Sequence, residues 1–188
     1  MSYPVKLISH EEKDALYEMY SSHPFHTVKA DISGCCIKLY TLSCQVKDMW
    51  EDNFYAMSEM VRSHGRLICL DDPQRPLEVL YEPDTKTAFL FNFDYYGWIK
   101  SVALAIAGDI LEDDHQIYSV HGAALDIEGK GITLIAPSKT GKTTHSWGLL
   151  RSKSARLVTD DWYFVRLSER RPVGYGSEKN CYIDADIG

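Results

Sequence analysis

One run of eight residues, Ala136-Pro137-Ser138-Lys139-Thr140-Gly141-Lys142-Thr143, constrains this 188-residue chain more than any other. A small residue, four further residues and then Gly-Lys-Thr make the relaxed form of the phosphate-loop pattern, with Ala136 where glycine usually stands. The context raises it above coincidence. The apolar run Ile132-Thr133-Leu134-Ile135 precedes it as a strand would, and residues 144–150 can open a helix directly behind it. In such a setting, backbone N–H groups curled ahead of the positive end of a helix offer donors to a triphosphate without side-chain bulk. Gly141 lets the backbone come close, Lys142 reaches the outer phosphates as a point charge, and the Thr143 hydroxyl is placed to ligate magnesium. Ser138, Lys139, Thr140, Gly141, Lys142, Thr143 and Thr144 are therefore the expected nucleotide-binding residues. The plain alternative is a glycine-lysine turn with no ligand.

Eighteen residues beyond Lys142, the strand-like segment Arg156-Leu157-Val158-Thr159 ends in Asp160-Asp161. Adjacent residues on a strand point to opposite faces, so both carboxylates serve one site only if the strand stops there and the chain turns. A strand ending in Asp soon after a phosphate loop is where a metal-holding carboxylate belongs; a solvated acidic turn is the alternative. Upstream, residues 119–127 and 131–136 can pair as an antiparallel hairpin about a tight turn at Gly129-Lys130, with facing residue numbers summing to 259. That register puts His121 level with Ser138, at the mouth of the loop and within reach of the two acids.

Val120-His121-Gly122, the turn Glu128-Gly129-Lys130-Gly131, the loop through Thr144 and Leu157-Val158-Thr159-Asp160-Asp161 together resemble the catalytic core of the HPr kinase/phosphorylase family, whose relatives include phosphoenolpyruvate carboxykinases. The resemblance covers about 45 residues. It implies that Lys142 and the loop backbone hold the β- and γ-phosphates of ATP, and that Thr143 and Asp160 hold Mg2+. It also implies that Asp161 is the general base toward an acceptor hydroxyl, with His121 beside it. The division of roles between Asp160 and Asp161 stays open. The family's loop reads Gly-x-Ser-Gly-x-Gly-Lys-Ser, whereas Ala136, Lys139 and Thr143 stand at three of those positions, and Thr143-Thr144 is nearer the carboxykinase branch. Lys139 there either touches phosphate or stands in solvent. The family's downstream Glu-x-Arg-Gly signature is replaced by Ser177-Glu178-Lys179-Asn180. The implied protein is thus an HPr-kinase-like serine kinase rather than HPr kinase itself. The implied fold is α+β to α/β, with a carboxykinase-like phosphate-loop core in residues 116–188 behind an N-terminal α+β region in residues 1–115. About seventy residues from Val120 onward are too few for that family's catalytic domain, so a chain shortened at its C-terminus is expected. A homo-oligomer is implied by the resemblance alone.

Charge fits a small anionic ligand better than nucleic acid. The net charge is −7, yet residues 129–171 carry nine Lys and Arg against three acids, a local positive field on an acidic body. Residues 1–10 lack a basic start with an apolar run, and the longest apolar stretch, residues 102–107, is far short of a membrane span; a cytoplasmic protein with no membrane partner is expected. The five cysteines have no metal-type spacing and read as buried free thiols in a reducing compartment. In the N-terminal region, Ser9 and Glu12 form a capping box ahead of a helix whose face carries Leu16, Met19 and Tyr20. Residues 36–43, 66–71, 77–81 and 87–91 read as strands, the last two flanking a Pro83-Asp84-Thr85-Lys86 turn. Residues 47–63 carry Trp50, Phe54, Met57 and Val61 at helical spacing, and a further helix is expected over 96–111.

The composite expectation is an ATP- and magnesium-dependent kinase that moves the γ-phosphoryl group to a serine-like hydroxyl of a protein or small metabolite. Asp161, His121 and Lys142 are its expected catalytic residues. The alternative is a nucleotide-binding regulatory module that has lost transfer. A GTPase is not supported, because the chain has no Asn-Lys-x-Asp guanine-reading motif.

Overall fold

A computed structural model describes residues 3–137, 140–169 and 171–181. The chain forms two compact units, Met1–Ile110 and Leu111–Gly188, and its secondary structure is a mixture of strands and helices. Among the described residues, no helix is long and apolar enough to cross a membrane.

The first unit comprises β1 (Val5–Leu7), α1 (His10–Tyr20), β2 (His26–Ile32), β3 (Cys35–Thr41), α2 (Cys44–Asn53), β4 (Tyr55–Ala56), β5 (Gly65–Leu70), β6 (Glu78–Glu82), β7 (Thr87–Phe91) and most of α3 (Tyr96–His115). Its seven strands make one mixed sheet in the order β1-β6-β7-β5-β3-β2-β4, with β3, β5 and β7 running parallel at the centre. The central strands are apolar on both faces: Leu67, Ile68, Phe89, Leu90 and Phe91 are all buried, as expected where both sides of a sheet are covered. α1 starts at the expected capping box, the Ser9 amide donating to Glu12 Oε2 at 2.7 Å and the Glu12 amide to Ser9 Oγ at 3.2 Å.

The long helix expected over 47–63 is not formed; α2 ends at Asn53. Trp50 and Phe54 fill the core edge to face at 4.9 Å, and the backbone then turns extended so that β4 pairs with β2. The buried ammonium of Lys29 accounts for the segment beyond it, donating to the carbonyls of Glu59 (2.5 Å) and Val61 (2.9 Å). Helical spacing of the aromatics was real, but the demand of a buried lysine for acceptors outweighed it. The helix expected over 96–111 continues to His115. Of the cysteines, Cys35, Cys36 and Cys69 are buried free thiols as expected, whereas Cys44 is exposed and Cys181 only half-buried.

The second unit contains β8 (Ile117–His121), β9 (Ala123–Ile127), β10 (Lys130–Leu134), α4 (Lys142–Leu150), β11 (Ala155–Thr159), β12 (Trp162–Arg166) and β13 (Val173–Gly176). They form two three-stranded sheets, β10-β9-β11 and β13-β12-β8. The continuous strand expected over 119–127 is broken at Gly122, where the chain leaves one sheet for the other. The hairpin turn also lies one residue earlier than expected. Glu128 and Gly129 occupy its two central positions at φ 53° and 78°, so facing residues sum to 257, from Lys130 opposite Ile127 to Leu134 opposite Ala123. A two-residue turn with both central φ positive matches strand twist; centring it on Gly129-Lys130 would have forced the lysine into the left-handed region.

Candidate phosphate-loop site

The strand pairing of the second unit decides where its polar residues meet. β10 and β11 are each antiparallel to β9, so they run in the same direction on either side of it, about 10 Å apart. Leu134 at the end of β10 lies opposite Ala123, and Thr159 at the end of β11 lies opposite Ala124. Both strands therefore terminate level with the start of β9. The loop after β10, the Asp160-Asp161 pair after β11 and the His121-Gly122 junction before β9 emerge at this one end of the sheet. α4 packs across β9 and β11 and begins at that same end.

Gly141 is the N-cap of α4, with φ 97°, a left-handed conformation that disfavours any side chain with a Cβ. Being glycine, it brings no side chain to the first-turn amides of Lys142, Thr143 and Thr144, and no acid lies in that turn. The loop is braced from within: Thr140 Oγ1 donates to the Pro137 carbonyl at 2.5 Å and Lys142 Nζ to the Ala136 carbonyl at 2.8 Å. Lys142 thus folds back over the loop it follows. His145 closes on the cap from the exposed side, its Nδ1 2.8 Å from the Gly141 carbonyl, while Ser146, fully buried, donates to the Lys142 carbonyl at 3.0 Å. Thr143 is half-buried and Thr144 exposed. Ser138 and Lys139, expected to line the loop, lie outside the described residues.

At the second crossing the chain passes from β11 to β12. Thr159 is fully buried and Asp160 and Asp161 half-buried, so the backbone moves from the core toward the surface at the two acids. The two crossings are tied together, since the Gly122 amide donates to the Asp161 carbonyl at 2.8 Å. A Cβ on residue 122 would lie 2.8 Å from the Leu134 carbonyl oxygen, so close approach demands glycine here. The expected level of His121 with Ser138 falls outside the described residues; His121 is not part of the β9–β10 hairpin and pairs with Trp162 across β8 and β12. That pairing brings His121 Nε2 to 3.2 Å from Asp161 Oδ1 and stacks its ring on Trp162 at 5.8 Å and 21°. His121 and Asp161 are therefore brought together by a ladder other than the hairpin expected from the sequence.

Cys181 is a participant that sequence reasoning missed as such. Burial, and then the neighbouring Asp160 carboxylate, push its thiol up to about 12, so it stands beside Asp160 as a protonated donor. A lone cysteine twenty-one residues downstream carries no sequence signal of that contact. Trp162 was equally silent, because nothing in the sequence announced the β8–β12 ladder.

Among the described residues, no group of three or more His, Cys, Asp or Glu side chains gathers as it would about a fully protein-held metal ion. The donor set suits magnesium nonetheless, since this ion commonly takes one or two protein oxygens and completes its shell with phosphate and water.

A glycine-capped strand–loop–helix junction and a carboxylate pair thus lie at the same end of one sheet, and a helix N-terminus free of side-chain caps is the kind of place where anions bind. No family model matches the chain. Among curated proteins it is similar to the phosphoenolpyruvate carboxykinase (ATP) of Aeropyrum pernix, 29% identical over 119 residues that cover 57% of this chain and 24% of that protein. The chain thus spans about a quarter of the length of the curated relative it matches.

Proposed function

We propose that this chain binds a nucleoside triphosphate, ATP, at the loop 136–143 and transfers its γ-phosphoryl group to a serine-like hydroxyl on a protein or small metabolite. The observation that carries the reading is the convergence of three segments, the loop, Asp160-Asp161 and His121, at one end of the β10-β9-β11 sheet. The ATP named for the Aeropyrum relative supports the choice of nucleotide, and the same likeness supports a carboxykinase-like phosphate-loop core.

In this reading the first-turn amides of α4 and Lys142 receive the β- and γ-phosphates, with Ser138, Lys139, Thr140 and Thr144 contributing along the loop. Magnesium would be held by Thr143 and Asp160, and it supplies charge neutralisation of the phosphate oxygens. Asp161 takes the proton of the acceptor hydroxyl as the acceptor oxygen bonds to the γ-phosphorus and the bond to the bridging oxygen breaks, releasing ADP. His121, its Nε2 3.2 Å from Asp161 Oδ1, orients that carboxylate as a donor, and the proton of the acceptor hydroxyl stays on Asp161.

The test is transfer of labelled γ-phosphate from ATP, with magnesium, to serine, related alcohols and cell extract. Lys142→Ala should abolish transfer, and retained turnover in that variant refutes the reading. A second reading, a nucleotide-binding regulatory module without transfer, is favoured by the engagement of Lys142 with the loop's own Ala136 carbonyl. It predicts that ATP raises thermal stability, by about 2.7 kcal/mol at a hundredfold excess over Kd, while no label moves.

A further inference from the structure

His121 ends β8 and is half-exposed, with its side chain 48% accessible. Rotation of an imidazole about χ2 is broad, so a half-exposed ring at a strand end has little intrinsic reason to keep one nitrogen on a partner. Two contacts restrict it. Trp162 lies directly opposite on β12, and directly opposed residues on an antiparallel pair hold their Cβ atoms about 5 Å apart. The two rings lie 21° from parallel with centroids at 5.8 Å, an offset stack. A flat indole face reduces the imidazole's freedom to two orientations related by a 180° flip. The Asp161 carboxylate, 3.2 Å from Nε2, then selects one of them. An ionised carboxylate only accepts hydrogen bonds, so the neutral ring must carry its proton on Nε2.

We propose that Trp162 is a positioning residue of this site: its indole face holds the His121 imidazole flat, so that Nε2 is the nitrogen turned to Asp161. The inference rests on the reading that Asp161, oriented by His121, takes the proton of the acceptor hydroxyl. The indole itself touches no reacting atom. Its contribution is to keep Nε2 of His121 turned to Asp161 through the transfer. Trp162 is only half-buried and packs on His121, so its flat surface is used at the site and not wholly consumed in the core.

The experiment is nitrogen-15 NMR of histidine-labelled full-length protein, with phosphoryl transfer measured on the same samples. In the wild type, His121 should show the Nε2–H tautomer, and its carbon-bound ring protons should be shifted upfield by the indole. Trp162→Phe, which keeps a flat face, should preserve both signatures. Trp162→Leu, which keeps bulk without a face, should mix the tautomers, remove the upfield shift and lower kcat about tenfold with KM for ATP unchanged. A leucine variant that keeps a pure Nε2–H tautomer and full kcat overturns the proposal. Should the leucine variant fail to fold, the wild type decides alone, because His121 ring protons without an upfield shift overturn it equally. The tautomer and ring-current readouts need no turnover, so absence of transfer by the wild type would sink the kinase reading and leave this one standing on its own result.

Discussion

Replacing Gly122 by alanine tests the crossing that assembles the site. The glycine has no positive φ, so alanine can adopt its backbone conformation, and by itself the change would stabilise the fold by about 0.4–1 kcal/mol through the unfolded chain. Space reverses the sign. The added Cβ would meet the Leu134 carbonyl oxygen at 2.8 Å and Ile135 Cγ1 at 3.3 Å; the first is backbone at the end of β10, held in its ladder with β9. Overpacking of this kind costs about 1–3 kcal/mol, leaving, around the middle of both ranges, a net loss of about 1–2 kcal/mol. For a chain of this length that is a fall in Tm of about 2–8 °C. The shift should also strain the 2.8 Å hydrogen bond from the Gly122 amide to the Asp161 carbonyl, and so disturb the His121 signals described above. Urea unfolding measures the loss, with Gly131→Ala as control, since a Cβ there meets nothing within 4 Å. A Gly122→Ala protein as stable as the Gly131→Ala control would refute the close approach on which the crossing depends.

Glu82 at the β6–β7 turn accepts the amides of Asp84 (3.1 Å) and Thr85 (2.9 Å) and the Thr85 hydroxyl. Burial pushes its carboxyl up, but these donors together hold it below the usual glutamate range. A depressed folded value means that its stabilisation is present above that range and is lost as pH falls through the folded value. Glu82→Gln should therefore cost about 1–2 kcal/mol at neutral pH and flatten the decline in stability below about pH 5, as read by urea midpoints against pH. Alkylation of the native protein at pH 8 followed by peptide mass mapping should mark Cys44, which is exposed, and spare Cys181, whose thiol is pushed up to about 12, together with the buried Cys35, Cys36 and Cys69. Rapid labelling of Cys181 would contradict its place beside Asp160.

Much of the scaffold was legible because local signals agreed with tertiary demands. The capping box at Ser9, the hairpin around Pro83-Asp84 and the strand–loop–helix order about Gly141 each follow from residues within a few positions of one another. What was not legible depended on partners distant in sequence. α2 stops where Lys29, some thirty residues earlier, claims the Glu59 and Val61 carbonyls. β12 and β13 were missed, and with them the true neighbour of His121, because the chain changes sheets at Gly122 and again at Asp160-Asp161. Those residues were visible in the sequence as a glycine and an acidic pair, but nothing local says that a strand will end its ladder there and resume in another. The meeting of His121 with Asp161 was expected from a hairpin register that does not form, and arises instead from β8 pairing with β12.

Calorimetric titration of the full chain with ATP in the presence of magnesium is the most direct measurement of the central claim. The account predicts one site per chain, and a loss of at least tenfold in affinity when Lys142 is replaced by alanine, with folding unchanged by circular dichroism. Absence of binding heat at several temperatures, or equal affinity in the two proteins, would contradict it.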